Sequence, residues 1–298
     1  MVKKTKNKKT KQNPKFLKAL LLAGIIILIG VILSSILSAK KKSSEAESRK
    51  TYSVHIIAGQ SNAVGLGSNP ANFPSDSIDR RIKFYYAHDS NSGGKIVSLR
   101  NQRMPINKNK SGFGPEVGLS RQLYQNGYEN ILIIKVAKSG TSMKNSWNPK
   151  TGPLYRQYIE RETSKALAEL SKQGYRYSID GFYWMQGEGD MNASAAPTYK
   201  NNLKQFISSV RANFNNPKLK FVIGRPNNPT SPAKYRKMVR DAQTNVAKNT
   251  ANVSMIDTDD LELADFVHYN SSGQLQLGNR FFLKIQPYMA KKYPNGLK

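Results

Sequence analysis

Five short apolar runs constrain this chain more than any other feature: Tyr52–Ala58, Ile131–Ala137, Ile179–Met185, Lys220–Gly224 and Val253–Ile256. Each is too short for a helix and rich in β-branched and aromatic residues, the pattern of strands covered on both faces. Around them lie stretches with helical spacing: Pro115–Asn126, Pro153–Gln173, Pro197–Asn213, Pro232–Asn249 and, after the last run, Ser272–Ala290. The second is the clearest. Pro153 suits a first helical turn, Leu154, Tyr158, Leu167 and Leu170 fall on one face, and Gly174 follows as a stop. Strands separated by helices require right-handed crossovers, which predicts a three-layer α/β/α sandwich with a mostly parallel central sheet. Residues 51–298 are enough for one such domain.

The section Asn69–Phe113 breaks this rhythm. It is rich in Asn, Ser, Lys and Gly, with one strand-like run at Ile82–Tyr86. Long irregular insertions are often functional, so it is a candidate substrate-facing excursion; a solvated surface loop is the equal alternative.

The first fifty residues stand apart. Residues 1–18 carry eight lysines and no acid, and Ala19–Ala39 is an uncharged run of 21 residues rich in Leu and Ile. About 20 apolar residues cross a bilayer at 1.5 Å per residue. A cleaved signal peptide has an apolar region of only about 7–15 residues and small residues at its cleavage site. Here Leu37-Ser38-Ala39 puts a bulky side chain where a small one is needed. The expectation is a basic cytoplasmic tail, 1–18, one transmembrane signal anchor, 19–39, and a polar linker, 40–50. Eight lysines before the run against Lys40-Lys41-Lys42 after it place residues 51–298 outside the membrane.

Cysteine is absent, which excludes disulfides, thiolate metal sites and a cysteine nucleophile. Chemistry must come from elsewhere, and it gathers where the strand-like runs end. The first ends in Gly59-Gln60-Ser61-Asn62, which delivers a serine onto a tight turn. The carboxyl ends of parallel strands are where such sheets hold ligands. The second run ends in Lys138-Ser139-Gly140-Thr141-Ser142, where Gly140 could offer a backbone N–H. The third ends in Gln186-Gly187-Glu188-Gly189-Asp190, an amide that could donate to an oxyanion and two carboxylates on the same edge.

A hydrolytic serine needs a base, and the chain has three histidines. His55 sits inside the first strand and reads as packed. His88 lies in the insertion without a pattern around it. His268, in Asp265-Phe266-Val267-His268, has a carboxylate three residues away that can hold its tautomer and stabilise its cation if the two share a turn. The acids Asp257, Asp259, Asp260 and Glu262 lack the spacing and glycine of a calcium loop and read as solvated side chains, so no metal or cofactor is expected.

Taken in order, Gly-Gln-Ser61-Asn, Ser-Gly140-Thr-Ser, Trp-x-Gln186-Gly-Glu188-x-Asp190 and Asp265-x-x-His268 resemble the SGNH hydrolases. The similarity is closest to the sialate O-acetylesterase-like and acetylxylan-esterase-like carbohydrate esterases, and Gly114-Pro115-Glu116 also resembles a motif of that branch. The resemblance covers about residues 51–298. It implies a flavodoxin-like fold, Ser61 as nucleophile, and His268 as base with Asp265 as its orienter. Glu188 is a second candidate orienter. It implies an oxyanion hole from the Ser61 and Gly140 backbone N–H groups and the Gln186 side chain. Gln60, Asn62, Gly114 and Glu116 are candidate substrate contacts. Ser139 stands where this branch often has glycine, and the turn survives that exchange only if its φ is negative.

The chain's net charge is +28, of which residues 1–50 carry +11 and the remainder +17. A basic domain held outside a membrane would gather against anionic polymers, so the expected partner is O-acetylated, anionic cell-wall or capsular polysaccharide. Nucleic acid is not expected, since no recognition motif is present. Two rival functions use the same sequence: an O-acetyltransferase acting through Ser61, and a catalytically silent polysaccharide-binding domain.

Overall fold

The computed structural model describes residues 28–36, 38, 50–73, 76–87, 94–99, 104–107 and 110–298. The chain divides into two units, Met1–Arg49 and Lys50–Lys298. Most of the expected anchor at 19–39, its basic tail and the linker up to residue 49 lie outside the described residues, as does His88. Residues 28–36 and 38 are helical and exposed, and among the described residues no helix is long and apolar enough to cross a membrane.

In the larger unit the first strand, β1 (Thr51–Gly59), lies at the centre of a seven-stranded sheet. The others are β2 (Lys83–Tyr86), β3 (Val97–Ser98), β6 (Ile131–Ala137), β7 (Arg176–Met185), β8 (Lys220–Arg225) and β9 (Val253–Asp257). A separate antiparallel pair, β4 (Met104–Asn107) and β5 (Lys110–Gly112), stands outside it. The spatial order is β3-β2-β6-β1-β7-β8-β9, parallel throughout except for the edge strand β3. The core β6-β1-β7-β8-β9 is the flavodoxin-like order, whose ligand crevice opens where the chain reverses direction beside β1.

The helices are α1 (Ser61–Val64), α2 (Glu116–Gln125), α3 (Thr163–Lys172), α4 (Tyr199–Asn213), α5 (Ala233–Asn249) and α6 (Ser271–Lys292). The expected helix from Pro153 is wound as a π-helix over Tyr155–Glu162 before it continues as α3. Leu154, Tyr158, Leu167 and Leu170 are buried as its periodicity predicts. Alternate residues of the central strands feed two cores. Val54, Ile56, Leu132 and Ile134 pack with α3, α4 and α5, whereas Ile57, Ile131 and Ile133 pack with α2 and α6. That is the three-layer arrangement.

Within the insertion the strand-like run forms a strand, as its residues suggest. Ile82, Phe84, Tyr85 and Tyr86 are buried, and β2 pairs with β6 as a further sheet strand. Apolar alternation won over the polar composition around it. A two-pronged ion pair from Arg121 on α2 to buried Asp79, at 2.9 and 2.6 Å, fastens the segment before β2 to the domain.

Candidate active site

Register sets the site. Gly59 is level with Ala137 of β6 and Met185 of β7, and Met185 is level with Gly224 of β8, so four strands end along one line. At Gly59 the backbone takes φ +143°, and a Cβ there would meet the Met185 carbonyl oxygen at 2.0 Å. Only glycine allows this close approach. The chain then turns into α1, with the Ala63 and Val64 N–H groups bonded to the Gln60 carbonyl at 2.8 and 2.9 Å. Ser61 is its first residue, so its own N–H has no partner within the turn.

His268 and Asp265 share one hairpin, closed by the Ala264 N–H on the His268 carbonyl at 2.8 Å. Asp265 Oδ2 lies 2.7 Å from His268 Nδ1, and Oδ1 accepts the Val267 and His268 N–H groups, each at 2.8 Å. Burial pushes the Asp265 carboxyl up, but these hydrogen bonds and the facing imidazole outweigh it and hold the group below its usual range. A carboxylate so placed fixes the Nδ1–H tautomer and leaves Nε2 free to accept a proton.

Asn62 joins the hairpin to the nucleophile turn. Its Nδ2 donates to the Val267 carbonyl at 2.9 Å and to Glu188 Oε1 at 2.8 Å, and its Oδ1 accepts the Tyr269 N–H at 3.1 Å. The residue beside Ser61 thus grips backbone on both sides of His268. The sequence suggests Asn62 as a substrate contact; the structure places it fully buried, tying the turn of Ser61 to the hairpin of His268. Glu188 supports this clamp. Burial raises its pKa, against the Asn62 hydrogen bond and the His268 charge, and its Oε2 is buried without a hydrogen-bond partner.

Gln186 departs from its expected role. It is fully buried, and Nε2 donates to Asp190 Oδ2 at 2.6 Å and Gln60 Oε1 at 3.2 Å, so its two N–H bonds are spent inside the protein. Asp190 in turn accepts the Met143 and Lys144 N–H groups at 2.7 and 3.1 Å, fastening the loop after β6 to the end of β7. Burial raises the Asp190 pKa, against these same hydrogen bonds. Gln60 is likewise held, accepting the Gly189 N–H at 3.2 Å, and is nearly buried. These polar residues build the cleft rather than face it. Gly140, by contrast, is exposed, has φ +69°, and has open space where a Cβ would be. Among the described residues Ser139 has no positive φ, so the serine there costs the turn nothing.

Glu116 is also redirected. It is fully buried, with Oε1 accepting the Gly114 N–H at 2.7 Å and Oε2 paired to Lys135 at 2.8 Å. Lys135 donates onward to the Val64 carbonyl at 2.7 Å, so the pair props α1 from below. Burial lowers the Lys135 pKa against the pull of Glu116. Sequence reasoning missed Lys135, although a lysine within Ile131-Leu-Ile-Ile-Lys135-Val-Ala demands a buried partner. The acids after β9 are partly exposed, and three are matched by arginines: Asp257 by Arg225, Asp259 by Arg240 and Asp260 by Arg280. Asp260 is pulled down to about 2 by its Arg280 hydrogen bond. No group of metal-ligating side chains occurs among the described residues.

Residues 51–286 match the family described as carbohydrate esterase, sialic acid-specific acetylesterase. A search of curated protein sequences finds no match. Among solved structures, a protein from Arabidopsis thaliana aligns at TM-score 0.64 and 21% identity, over 80% of this chain and 98% of that one. NanS aligns at 0.59 and 17%, over 82% and 99%. A carbohydrate acetylesterase from Xanthomonas citri aligns at 0.58 and 14%, over 80% of this chain and 57% of the other. At these identities the structural matches speak for the fold. The family match spans most of the chain, and it agrees with a serine, a histidine and an aspartate gathered at the ends of a parallel sheet: the chain belongs to the sialic acid-specific acetylesterase family of carbohydrate esterases, carboxylic ester hydrolases of the SGNH branch.

Proposed function

We propose that this protein is a membrane-anchored, extracytoplasmic serine esterase that removes O-acetyl groups from anionic polysaccharide. The observation that carries the mechanism is the Asn62 clamp, which ties the Asp265–His268 hairpin to the turn bearing Ser61. Ser61 Oγ attacks the ester carbonyl as His268 Nε2 takes its proton. The oxyanion forms against the Ser61 and Gly140 N–H groups, where loss of one donor typically costs ~10²–10³ in rate. His268 then protonates the departing sugar hydroxyl. Water, deprotonated by the same imidazole, attacks the acetyl-enzyme and releases acetate. Asp265 stays ionised throughout, balancing the imidazolium. Glu188 acts on this pair through Asn62.

What supports the location is the lysine-rich start followed by 21 uncharged residues, and what supports an anionic polymer is the +17 carried by residues 51–298. The test is acetate release from p-nitrophenyl acetate and from O-acetylated glycans by the full chain, with Ser61→Ala beside it. Release by the parent alone is expected. Equal release by both proteins refutes the serine mechanism, and product formed only with an added sugar acceptor makes the enzyme a transferase. Protease added to intact cells is expected to remove the domain; full protection refutes the outward orientation.

A further inference from the structure

Beside the hairpin that carries His268 opens a cleft of about 630 Å³. That volume lies in the usual range of small-molecule sites, about 300–1,000 Å³. Its lining includes the amides and hydroxyls of Asn69, Asn72, Asn270, Ser272 and Gln276, with Glu262 as the one ionisable group, while most of the surface the cleft exposes is apolar. Leu275 supplies apolar surface between them.

Two contacts tie this cleft to the reacting groups. Glu262 and Asn270 stand at the two ends of the catalytic hairpin and bond each other there, Asn270 N–H on the Glu262 carbonyl at 3.0 Å and Nδ2 on Oε2 at 3.0 Å. Gly67, also in the wall, lies so close to the hairpin that a Cβ on it would sit 2.9 Å from the His268 Cβ and 2.4 Å from the Tyr269 oxygen. The cleft therefore adjoins the hairpin that carries His268.

We infer that this cleft binds an uncharged sugar residue of the substrate chain, next to the one that bears the acetyl group; the inference rests on the esterase function proposed above. Amides and hydroxyls both donate and accept, as sugar hydroxyls do, so they match a hydroxyl-rich ring in a way that ammonium or guanidinium groups cannot. Several of these atoms remain open to a ligand. Asn69 uses its Oδ1 on the Ala71 N–H, leaving its amide N–H groups, and Ser272 Oγ accepts from Gln276 Nε2, leaving its own proton. Glu262 disfavours an anionic sugar here, so the negative charge of the polymer belongs to residues bound elsewhere. Leu275 fits the apolar face of a pyranose ring.

The test compares two substrates in the full chain: chemically O-acetylated cello- and chito-oligosaccharides of one to six units, and p-nitrophenyl acetate, which is too small to reach the cleft. In the parent, kcat/KM is expected to rise by tenfold or more from one sugar unit to two or three. In Asn72→Ala/Gln276→Ala, and in Ser272→Trp, which fills the space, the ratio of kcat/KM on oligosaccharide to that on the aryl ester is expected to fall at least tenfold. The amount of folded enzyme cancels from that ratio. A ratio unchanged in both variants overturns the cleft as a sugar site. A parent that cleaves the aryl ester but releases no acetate from any glycan overturns instead the function on which it rests.

Discussion

The sheet of this protein holds a serine, a histidine and an aspartate at each of its two ends, and only one set is arranged to react. At the carboxyl end, Asp265 bonds His268 through Nδ1, and the proposed mechanism uses the far imidazole nitrogen. At the amino end, Ser53 Oγ lies 2.9 Å from His55 Nε2 but donates its proton to Asp180 Oδ2 at 2.5 Å, while His55 Nδ1 meets the Tyr183 hydroxyl at 2.9 Å. There the aspartate holds the serine rather than the histidine. A register shift between Val54 and His55 brings Asp180 into reach, and Lys292, Tyr293 and Ser178 close around it. Ser53, His55 and Asp180 are completely buried, whereas the hairpin of His268 reaches solvent. Residue types do not make a catalytic site; the order of their hydrogen bonds and access to water do.

The sharpest way to break this contrast is to remove each serine. Ser61→Ala is expected to lower kcat by at least ~10⁴, because the nucleophile of such a set cannot be replaced by its partners. Ser53→Ala should leave activity per folded molecule unchanged while lowering the unfolding midpoint. Loss of catalysis in Ser53→Ala without loss of structure would reverse the assignment of the two ends.

A smaller effect sharpens how the reactive end is held. Asn62→Ala cuts three hydrogen bonds between the nucleophile turn, Glu188 and the hairpin, so His268 loses its register against Ser61. Misplacement by about 1 Å can cost ~10² in rate, so kcat on p-nitrophenyl acetate is expected to fall about 10²-fold with KM little changed. A raised KM with kcat intact would return Asn62 to the substrate-contact role that its sequence position suggests.

The reach of sequence reasoning follows from what each residue depends on. Strand ends were legible because apolar runs stop at glycine and polar residues, and Gly59, Gly140 and the Asp265–His268 spacing are local facts. The duties of Asn62, Gln186 and Glu116 were not. Each is held by a partner from elsewhere in the chain, Gln186 by Gln60 among others, and an amide or carboxylate reads the same in sequence whether it faces ligand or protein. In the insertion the strand-like run Ile82–Tyr86 was legible, but not its place in the sheet, because pairing with β6 depends on a partner distant in sequence. Lys135 could have been found, since a charge inside a buried strand is costly unless paired.

The gentlest test concerns the unreactive end alone, and its readout is stability. Burial pushes His55 down from 6.5 to about 4, with Asp180 opposing and Lys292 reinforcing the shift. The folded protein therefore keeps this imidazole neutral where the unfolded chain protonates. Above pH 6.5 the group is neutral in both states and favours neither. As pH falls from 6.5 towards 4 the unfolded state binds the extra proton, so folding loses up to about 3 kcal/mol from this residue, and below the folded value the loss levels off. His55→Gln keeps a hydrogen-bonding side chain but cannot titrate. Denaturant unfolding of the full chain between pH 7.5 and 4 should show the parent losing more stability than the variant, by up to about 3 kcal/mol, with the difference opening below pH 6.5. Parallel curves would mean that the imidazole reaches water or takes its proton within the fold. The amino end would then resemble the reactive end in access to solvent, one of the two properties that separate them.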